Sequence, residues 1–120
     1  MLETIQPSTG NVVAVRAAGK VTGDDYETVL IPQIEEKLKS YDKIRLLYQL
    51  GPEFEGYEAE AIWDDTKVGL KHLTAFEKIA IVTDSEWIIR AVKAFGFMMP
   101  GEVRLFANGE LTEAQSWIEQ

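Results

Sequence analysis

Five short apolar stretches bounded by turn residues predict β-strands, and one of them also alternates apolar and polar side chains along its length. Residues 43–50 show this alternation, since large apolar side chains at every second position from Ile44 to Leu50 are separated by Arg45, Leu47 and Gln49. The predicted strands cover residues 2–5, 12–18, 43–50, 78–83 and 103–107.

Turn residues set the expected ends of these strands. A five-residue turn over residues 7–11 favours an antiparallel hairpin between the first two strands. Gly19 is expected to end the second strand. Gly51-Pro52 is expected to stop the third strand, with residues 51–56 as a loop.

Apolar residues three to four positions apart predict four helices. The first follows Thr22, the second covers residues 57–73, the third follows Asp84-Ser85-Glu86, and the fourth begins at Leu111. Thr22 with an acid three residues later resembles a capping box. Pro32 removes one backbone donor within the first helix, so we expect a kink or two abutting pieces there.

The order of elements predicts an α/β fold with a mostly parallel sheet and right-handed crossovers. Several strands carry polar residues on one face, whereas strands covered on both faces are usually apolar throughout. This pattern favours helices on one face of the sheet only, with the other face partly open. The polar residues are Arg16, Arg45, Gln49 and Arg104. We therefore expect a single domain over residues 1–120, with a single-layer, five-stranded sheet, an N-terminal antiparallel hairpin and about four helices on one face.

Composition narrows the classes of function. The 120 residues include 12 basic and 20 acidic side chains, for a net charge of −8, so nucleic acid is not an expected partner. The chain has no cysteine, which excludes disulfides and thiol nucleophiles. Residues 1–7 have an early acid and a proline rather than the pattern of a secretory signal, and no apolar stretch is long enough to cross a bilayer. We expect a cytoplasmic protein.

The polar residues that could carry chemistry have simpler structural interpretations. Ser85 stands where a helix begins, so we interpret it as an N-cap rather than a phosphorylation site. Asp64 and Asp65 are helical neighbours that point about 100° apart, so they do not converge on one atom. His72 is the only histidine. A triad would also need a nucleophile and an orienting acid beside it, and a transition-metal site usually needs more imidazole or thiolate ligands, so we expect a surface ion pair instead. We expect no enzyme, metal site or cofactor.

The segment 51–56 has a glycine at each end but does not match a phosphate-binding loop. Such a loop needs a following Lys and a Ser or Thr, whereas this segment carries Glu53 and Glu55. The acidic run from Glu53 to Asp65 predicts a solvated surface, with docking of a basic partner as the alternative.

Several short motifs resemble the SpoIIAA-like family, a branch of the STAS-type fold. They are Gly19-Lys20-Val21-Thr22, Arg45-Leu46-Leu47, Phe54-Glu55-Gly56, Ala61-Ile62-Trp63-Asp64-Asp65, Ile79-Ala80-Ile81-Val82, and Ala114 with Trp117-Ile118. The resemblance spans nearly the whole chain and implies a β–α superhelix with all helices on one side.

For function, the same resemblance implies less. Sporulation-type members are switched by phosphorylation of a serine after the third strand, but residues 51–56 contain no Ser or Thr, so the switch is not carried over. The branch that shares the Phe54 and Trp63 motifs has been likened to lipid-carrying CRAL-TRIO domains. That likeness implies apolar ligands or membrane surfaces.

Apolar side chains from two consecutive loop-and-helix segments form the candidate ligand-binding site. Crossover helices on one face lie side by side, so these groups are expected to converge, although ordinary core is the alternative. Methionine beside aromatic residues suits an adaptable binding surface. The nine candidates are Phe54, Tyr57, Ile62, Trp63, Trp87, Phe95, Phe97, Met98 and Met99.

Two functional hypotheses follow. The first is a non-enzymatic binding module for a small apolar or lipid-like ligand. This hypothesis includes action at a membrane surface, because residues 66–104 carry six bases against four acids and this half of the chain could face anionic lipids. The alternative is a protein-interaction module, acting as a homodimer, that docks through the open sheet face or the acidic stretch.

Overall fold

The structure is a computed structural model that describes residues 1–5, 10–57, 73–96 and 101–120, with the backbone alone for residues 52, 53, 57, 73 and 95. Five strands form one sheet in the order β1-β2-β3-β4-β5. They are β1 (Leu2–Thr4), β2 (Val12–Val21), β3 (Ile44–Tyr57), β4 (Phe76–Thr83) and β5 (Glu102–Phe106). Only the β1–β2 pairing is antiparallel, and each of the other neighbouring pairs is parallel. The predicted fold class, a mostly parallel sheet opened by an antiparallel hairpin, is confirmed.

Helical segments follow the second, fourth and fifth strands. They are α1 (Gly23–Asp25), a π-helical turn (Tyr26–Leu30), α2 (Ile31–Leu38), α3 (Glu86–Phe95) and α4 (Leu111–Glu119). Short 3-10 turns cover Leu73–Ala75 and Asn108–Glu110. Of the helix predicted over residues 57–73, residues 58–72 lie outside the described residues. Among the helices that are described, none is both long and apolar enough to span a membrane.

Local chemistry explains the first helical segment. The backbone N–H of Asp25 donates to Thr22 Oγ1 at 3.2 Å, and the N–H of Thr22 donates to Asp25 Oδ2 at 2.8 Å, so the predicted capping box forms. Pro32 has no N–H for the carbonyl of Thr28, and the preceding turn widens into the π-helical turn before α2 begins. The prediction of two abutting pieces is confirmed.

The strands β2 and β3 are longer than predicted. Gly19 does not end β2, because it takes a φ of 60° at a register shift, beyond which pairing resumes between Gly19 and Phe54 and between Val21 and Tyr57. The predicted loop 51–56 is likewise strand. Pro52 falls within the irregular interval between the Leu50 and Phe54 pairs, where a missing backbone donor is tolerated.

Apolar side chains cover both faces of the sheet. One core cluster joins every second residue of β2 and β3, such as Val13 and Leu46, to the first helical segment and to Ile88 of α3. The residues between them, such as Ala14 and Leu47, form a second cluster with α4. The expectation that all helices lie on one face is therefore wrong for α4, which packs on the face predicted to be open.

The basic residues of that second face explain why α4 packs there. Arg45 Nη1 donates to the carbonyl of Ile118 at 2.9 Å, and Lys78 Nζ donates to the carbonyl of Trp117 at 3.4 Å, so both satisfy carbonyls at the C-terminal end of α4. The Arg104 guanidinium lies 5.8 Å from the centre of the Trp117 ring. Arg45 and Arg104, which predict a partly open face from the sequence, are thus partners of a helix.

Candidate functional site

A pocket of ≈ 300 Å³ opens at the carboxyl edge of β3, β4 and β5. Open α/β sheets bind their ligands beyond the carboxyl ends of the strands, at the point where the strand order reverses. This sheet keeps its strands in sequence order, so the pocket shares only the edge with such sites. The lining residues come from the end of β3, the connection from β4 to α3, and the turn after β5. They are Leu50, Gly51, Phe54, Glu55, Gly56, Asp84, Ser85, Trp87 and Asn108. We call this space the carboxyl-edge pocket.

Two aromatic side chains line the carboxyl-edge pocket. Phe54 of β3 packs partly against the core cluster beneath the first helical segment. Trp87, in the first turn of α3, leaves 57% of its surface exposed. Because indole rings contribute a large apolar area and are mostly buried in folded proteins, an exposed ring beside a pocket offers contact area to a ligand.

The polar wall of the pocket is held by Asp84 and Asn108. Asp84 Oδ1 accepts from the backbone N–H of Asn108 at 3.1 Å, and Asp84 Oδ2 accepts from Asn108 Nδ2 at 3.3 Å. The same Nδ2 donates to the carbonyl of Leu50 at 3.5 Å. These bonds tie together the ends of β3, β4 and β5, so the three strand ends form one wall.

One polar atom of this wall has no hydrogen-bond partner among the residues that the structure describes. Asn108 Oδ1 is buried and accepts no hydrogen bond among the described residues. Buried polar atoms in folded proteins are almost always hydrogen-bonded, so this oxygen is an exception within the described part of the chain, and its burial keeps it out of reach of a molecule in the pocket.

Ser85 occupies the N-cap position of α3, as the sequence predicts, but its side chain makes no capping hydrogen bond. Its backbone N–H donates to Oγ1 of the buried Thr83 at 3.0 Å. The N-cap interpretation is therefore correct for position only, and Ser85 is one of the residues that line the pocket.

The charges that line the pocket are negative. Glu55 and Asp84 both line it, and within the described part of the chain no lysine or arginine does. Elsewhere in the described ranges, no group of three or more His, Asp or Glu side chains is placed to hold a metal ion.

The structure brings together two of the nine predicted site residues, Phe54 and Trp87. Tyr57 is the last residue of β3 and Phe95 the last residue of α3, and both are described by their backbone alone. The other five predicted residues, Ile62, Trp63, Phe97, Met98 and Met99, lie outside the described residues, as do Asp64, Asp65 and His72. For these the site remains a prediction.

Sequence reasoning missed the polar half of the pocket. In sequence, Asp84 and Ser85 stand where a helix is predicted to begin and have a capping interpretation, and Asn108-Gly109 has the composition of a turn. The signal that could have found them is their position, because Asp84 directly follows β4 and Asn108 follows β5 by two residues. Residues at the carboxyl ends of neighbouring parallel strands meet at one edge of the sheet.

These features define an α/β protein with one mostly parallel sheet, strands in sequence order and a pocket at their carboxyl edge. The sequence profile of the SpoIIAA-like family matches residues 12–119, and the chain belongs to that family, as its motifs predict. The family makes it a STAS-like domain.

A solved structure supports the same assignment. The chain is similar to an uncharacterized protein of the DUF3478 family with a SpoIIAA-like fold from Shewanella loihica PV-4, at 29% sequence identity and a TM-score of 0.77. The match covers 98% of this chain and 93% of the other. A search of curated proteins finds no match.

Proposed function

We propose that this chain is a non-enzymatic binding module that holds a small molecule with an apolar part in the carboxyl-edge pocket. The observation that carries the proposal is that Trp87, with 57% of its surface exposed, lines the same pocket as Phe54. The volume of ≈ 300 Å³ lies at the lower end of the range of about 300–1,000 Å³ for pockets that hold small molecules. Apolar walls with a few oriented polar groups are the usual composition of such pockets.

The proposal includes lipid-like ligands, and the pocket would hold one end of such a ligand. It also includes action at a membrane surface. Cosedimentation with phospholipid vesicles tests the membrane part separately. Binding to neutral vesicles that is lost in a Trp87→Ala variant would support it, and no cosedimentation at low salt would overturn it.

A neutral aromatic alcohol, 3-phenyl-1-propanol, tests the pocket itself. Titration followed by ¹H–¹⁵N NMR is expected to give saturable shifts for the amides of residues 50, 51, 54–56, 84, 85, 87 and 108. Replacing Trp87 with alanine removes one aromatic wall and is expected to weaken binding about tenfold.

Tyr41 supplies the matched control, because 42% of its surface is exposed and it does not line the pocket. Tyr41→Ala is expected to leave the affinity unchanged. Equal affinities in the two variants, or shifts that map to another part of the chain, would overturn the proposal.

A protein-interaction module is the second candidate, and the exposed ring of Trp87 also favours it, since tryptophan is enriched at the energetic centres of interfaces. The sheet face first considered for this role is covered by α4 along β3, β4 and β5. Light scattering over a range of concentrations tests the homodimer. A Trp87-dependent dimer would support this candidate, and a monomer throughout would contradict it.

A further inference from the structure

Asn108 and Gly109 lie in the turn between β5 and α4, and the Asn108 side chain also helps to hold the polar wall of the carboxyl-edge pocket. We propose that Asn108 is a deamidation site that the folded wall protects, so that it reacts only when the wall opens locally. The modified residue then prevents the wall from forming again as before. This inference goes beyond the proposed function, because it does not depend on what the pocket binds.

The sequence supplies the reactive pair. In deamidation the backbone nitrogen of Gly109 attacks the side-chain carbonyl carbon Cγ of Asn108, so that an N–Cγ bond forms and the Cγ–Nδ2 bond breaks. The amide proton of Gly109 leaves with Nδ2 as ammonia, and water then opens the succinimide ring to aspartate or isoaspartate. Glycine has no Cβ to crowd the attacking nitrogen, and the space beside Gly109 is empty for at least 4 Å.

The chain contains one other asparagine, Asn11, which is followed by the β-branched Val12. A β-branched side chain crowds the attacking nitrogen, so Asn11 is expected to react much more slowly than Asn108 in the unfolded chain. Asn11 therefore serves as an internal reference in every sample.

The folded wall disfavours the reaction at the side chain. Asn108 Nδ2 donates to Asp84 Oδ2 at 3.3 Å and to the carbonyl of Leu50 at 3.5 Å, which fixes the orientation of the amide. Its Oδ1 is buried and accepts no hydrogen bond among the described residues. Attack on Cγ places negative charge on this oxygen, and a buried oxygen without a donor leaves that charge unstabilised.

The backbone of the turn disfavours the reaction as well. The N–H of Glu110 donates to the carbonyl of Ala107 at 2.9 Å, and Glu110 Oε1 accepts from the N–H of Ala107 at 2.8 Å. These bonds hold residues 108–110 in a 3-10 turn. The five-membered succinimide ring turns the Asn108 backbone out of the helical region, so the turn and the wall must open before the ring can close.

The products of deamidation change the wall permanently. An aspartate at position 108 has no side-chain N–H for Asp84 or for the carbonyl of Leu50, and it brings a second carboxylate to within a few ångströms of the first. Like charges at such short range repel each other. Isoaspartate also lengthens the backbone of the turn by one carbon. Either product weakens the tie among the ends of β3, β4 and β5.

Peptide mapping by mass spectrometry measures the reaction directly. The full chain is incubated in mildly alkaline buffer, either folded or unfolded in guanidinium chloride, and the deamidated fraction at Asn108 and Asn11 is followed over time. We expect Asn108 to react at least about a hundredfold more slowly in the folded chain than in the unfolded chain. Equal rates at Asn108 in the two states would overturn the protection.

Asp84→Ala tests whether the wall is the source of the protection, because Asp84 accepts two hydrogen bonds from Asn108. The rate at Asn108 in the folded variant is expected to rise about tenfold. Tyr26→Phe is the matched control, since it loses a hydrogen bond in the core and Tyr26 does not line the pocket. It should leave the rate unchanged. No acceleration by Asp84→Ala, or equal acceleration by both variants, would overturn the role of the wall.

Asn108→Asp tests the consequence of the reaction, with Asn108→Ala as its uncharged counterpart. Both variants lose the side-chain hydrogen bonds to Asp84 and Leu50, but only the first adds a carboxylate. We expect Asn108→Asp to lower the midpoint of urea denaturation further than Asn108→Ala does. Equal midpoints in the two variants would overturn the inference that the product keeps the wall from forming again.

Discussion

Gly101 directly precedes β5 and lies against the backbone of β4. A Cβ atom at this position would stand 2.3 Å from the carbonyl oxygen of Phe76 and 2.8 Å from that of Glu77. Carbon and oxygen atoms in close contact are normally about 3.3–3.6 Å apart, so Gly101→Ala creates an overlap of about 1 Å. The obstructing atoms belong to a strand paired on both sides, and they cannot turn away as the end of a flexible side chain can.

We expect Gly101→Ala to lower the free energy of unfolding by about 3 kcal/mol, the upper end of the usual cost of overpacking. For a chain of this length that corresponds to a fall in Tm of about 10 °C. Urea denaturation followed by circular dichroism measures both the midpoint and the slope. The change also moves the strand that leads to Asn108, so pocket amides should shift in the NMR spectrum.

Gly109→Ala is the matched control for this prediction. A Cβ at Gly109 would meet nothing within 4 Å, and its φ is not positive. We expect its stability to change by at most about 0.5 kcal/mol. If Gly101→Ala were as stable as Gly109→Ala, the close approach of β5 to the start of β4 would be refuted.

Two further predictions concern polar contacts, one in the core and one partly exposed. The hydroxyl groups of Tyr26 and Tyr48 lie 3.1 Å apart in the core. Tyr26→Phe should therefore lower the free energy of unfolding, measured by urea denaturation, by about 1 kcal/mol. An unchanged midpoint would contradict the contact. A hydrogen bond from Arg45, with another from Asn11, lowers the pKa of Glu77 in the folded protein. The ionised carboxylate therefore stabilises the fold at any pH above its ordinary pKa. This stabilisation is lost as the pH falls through the lowered pKa. Glu77→Gln should therefore lower the free energy of unfolding by about 0.5 kcal/mol at neutral pH, a small amount because the Arg45–Glu77 pair is partly exposed. Well below about pH 4 the substitution should cost nothing. A loss of stability that persists in acid would refute the link between this carboxylate and the pH dependence.

The sheet could be predicted because its signals are local and repeated. The alternation from Ile44 to Leu50 reports the two faces of β3 directly. Pro32 likewise has a local effect, since a residue without N–H interrupts any α-helix. These properties depend on the chain within a few residues and not on what packs against it.

The extension of β2 and β3 could not be predicted from the same signals. Gly19 and Pro52 are strand-ending residues by composition, but each strand provides a partner for the other beyond them. The prediction of which sheet face α4 covers failed for a similar reason. Arg45 and Arg104 indicate an open face when a strand is considered alone. Only the packed helix shows that Arg45 donates to one of its terminal carbonyls and that Arg104 lies beside its Trp117 ring.

The aromatic half of the site was easier to predict than the polar half. Phe54 and Trp87 stand out in sequence because each is a large apolar residue near the end of an element. Asp84 and Asn108 are 24 residues apart and each has an ordinary local interpretation as a cap or turn residue. Their connection exists only after β4 and β5 pair and bring both strand ends to one edge.

The most direct measurement of the central claim is a ¹H–¹⁵N NMR titration of the full chain with 3-phenyl-1-propanol, observing the Trp87 indole N–H and the Asn108 side-chain amide. A Trp87→Phe variant assigns the indole signal among the three tryptophans. We predict that both signals shift, saturate and give one dissociation constant. Unmoved signals from both side chains at the highest soluble concentration of the alcohol would contradict binding in the carboxyl-edge pocket.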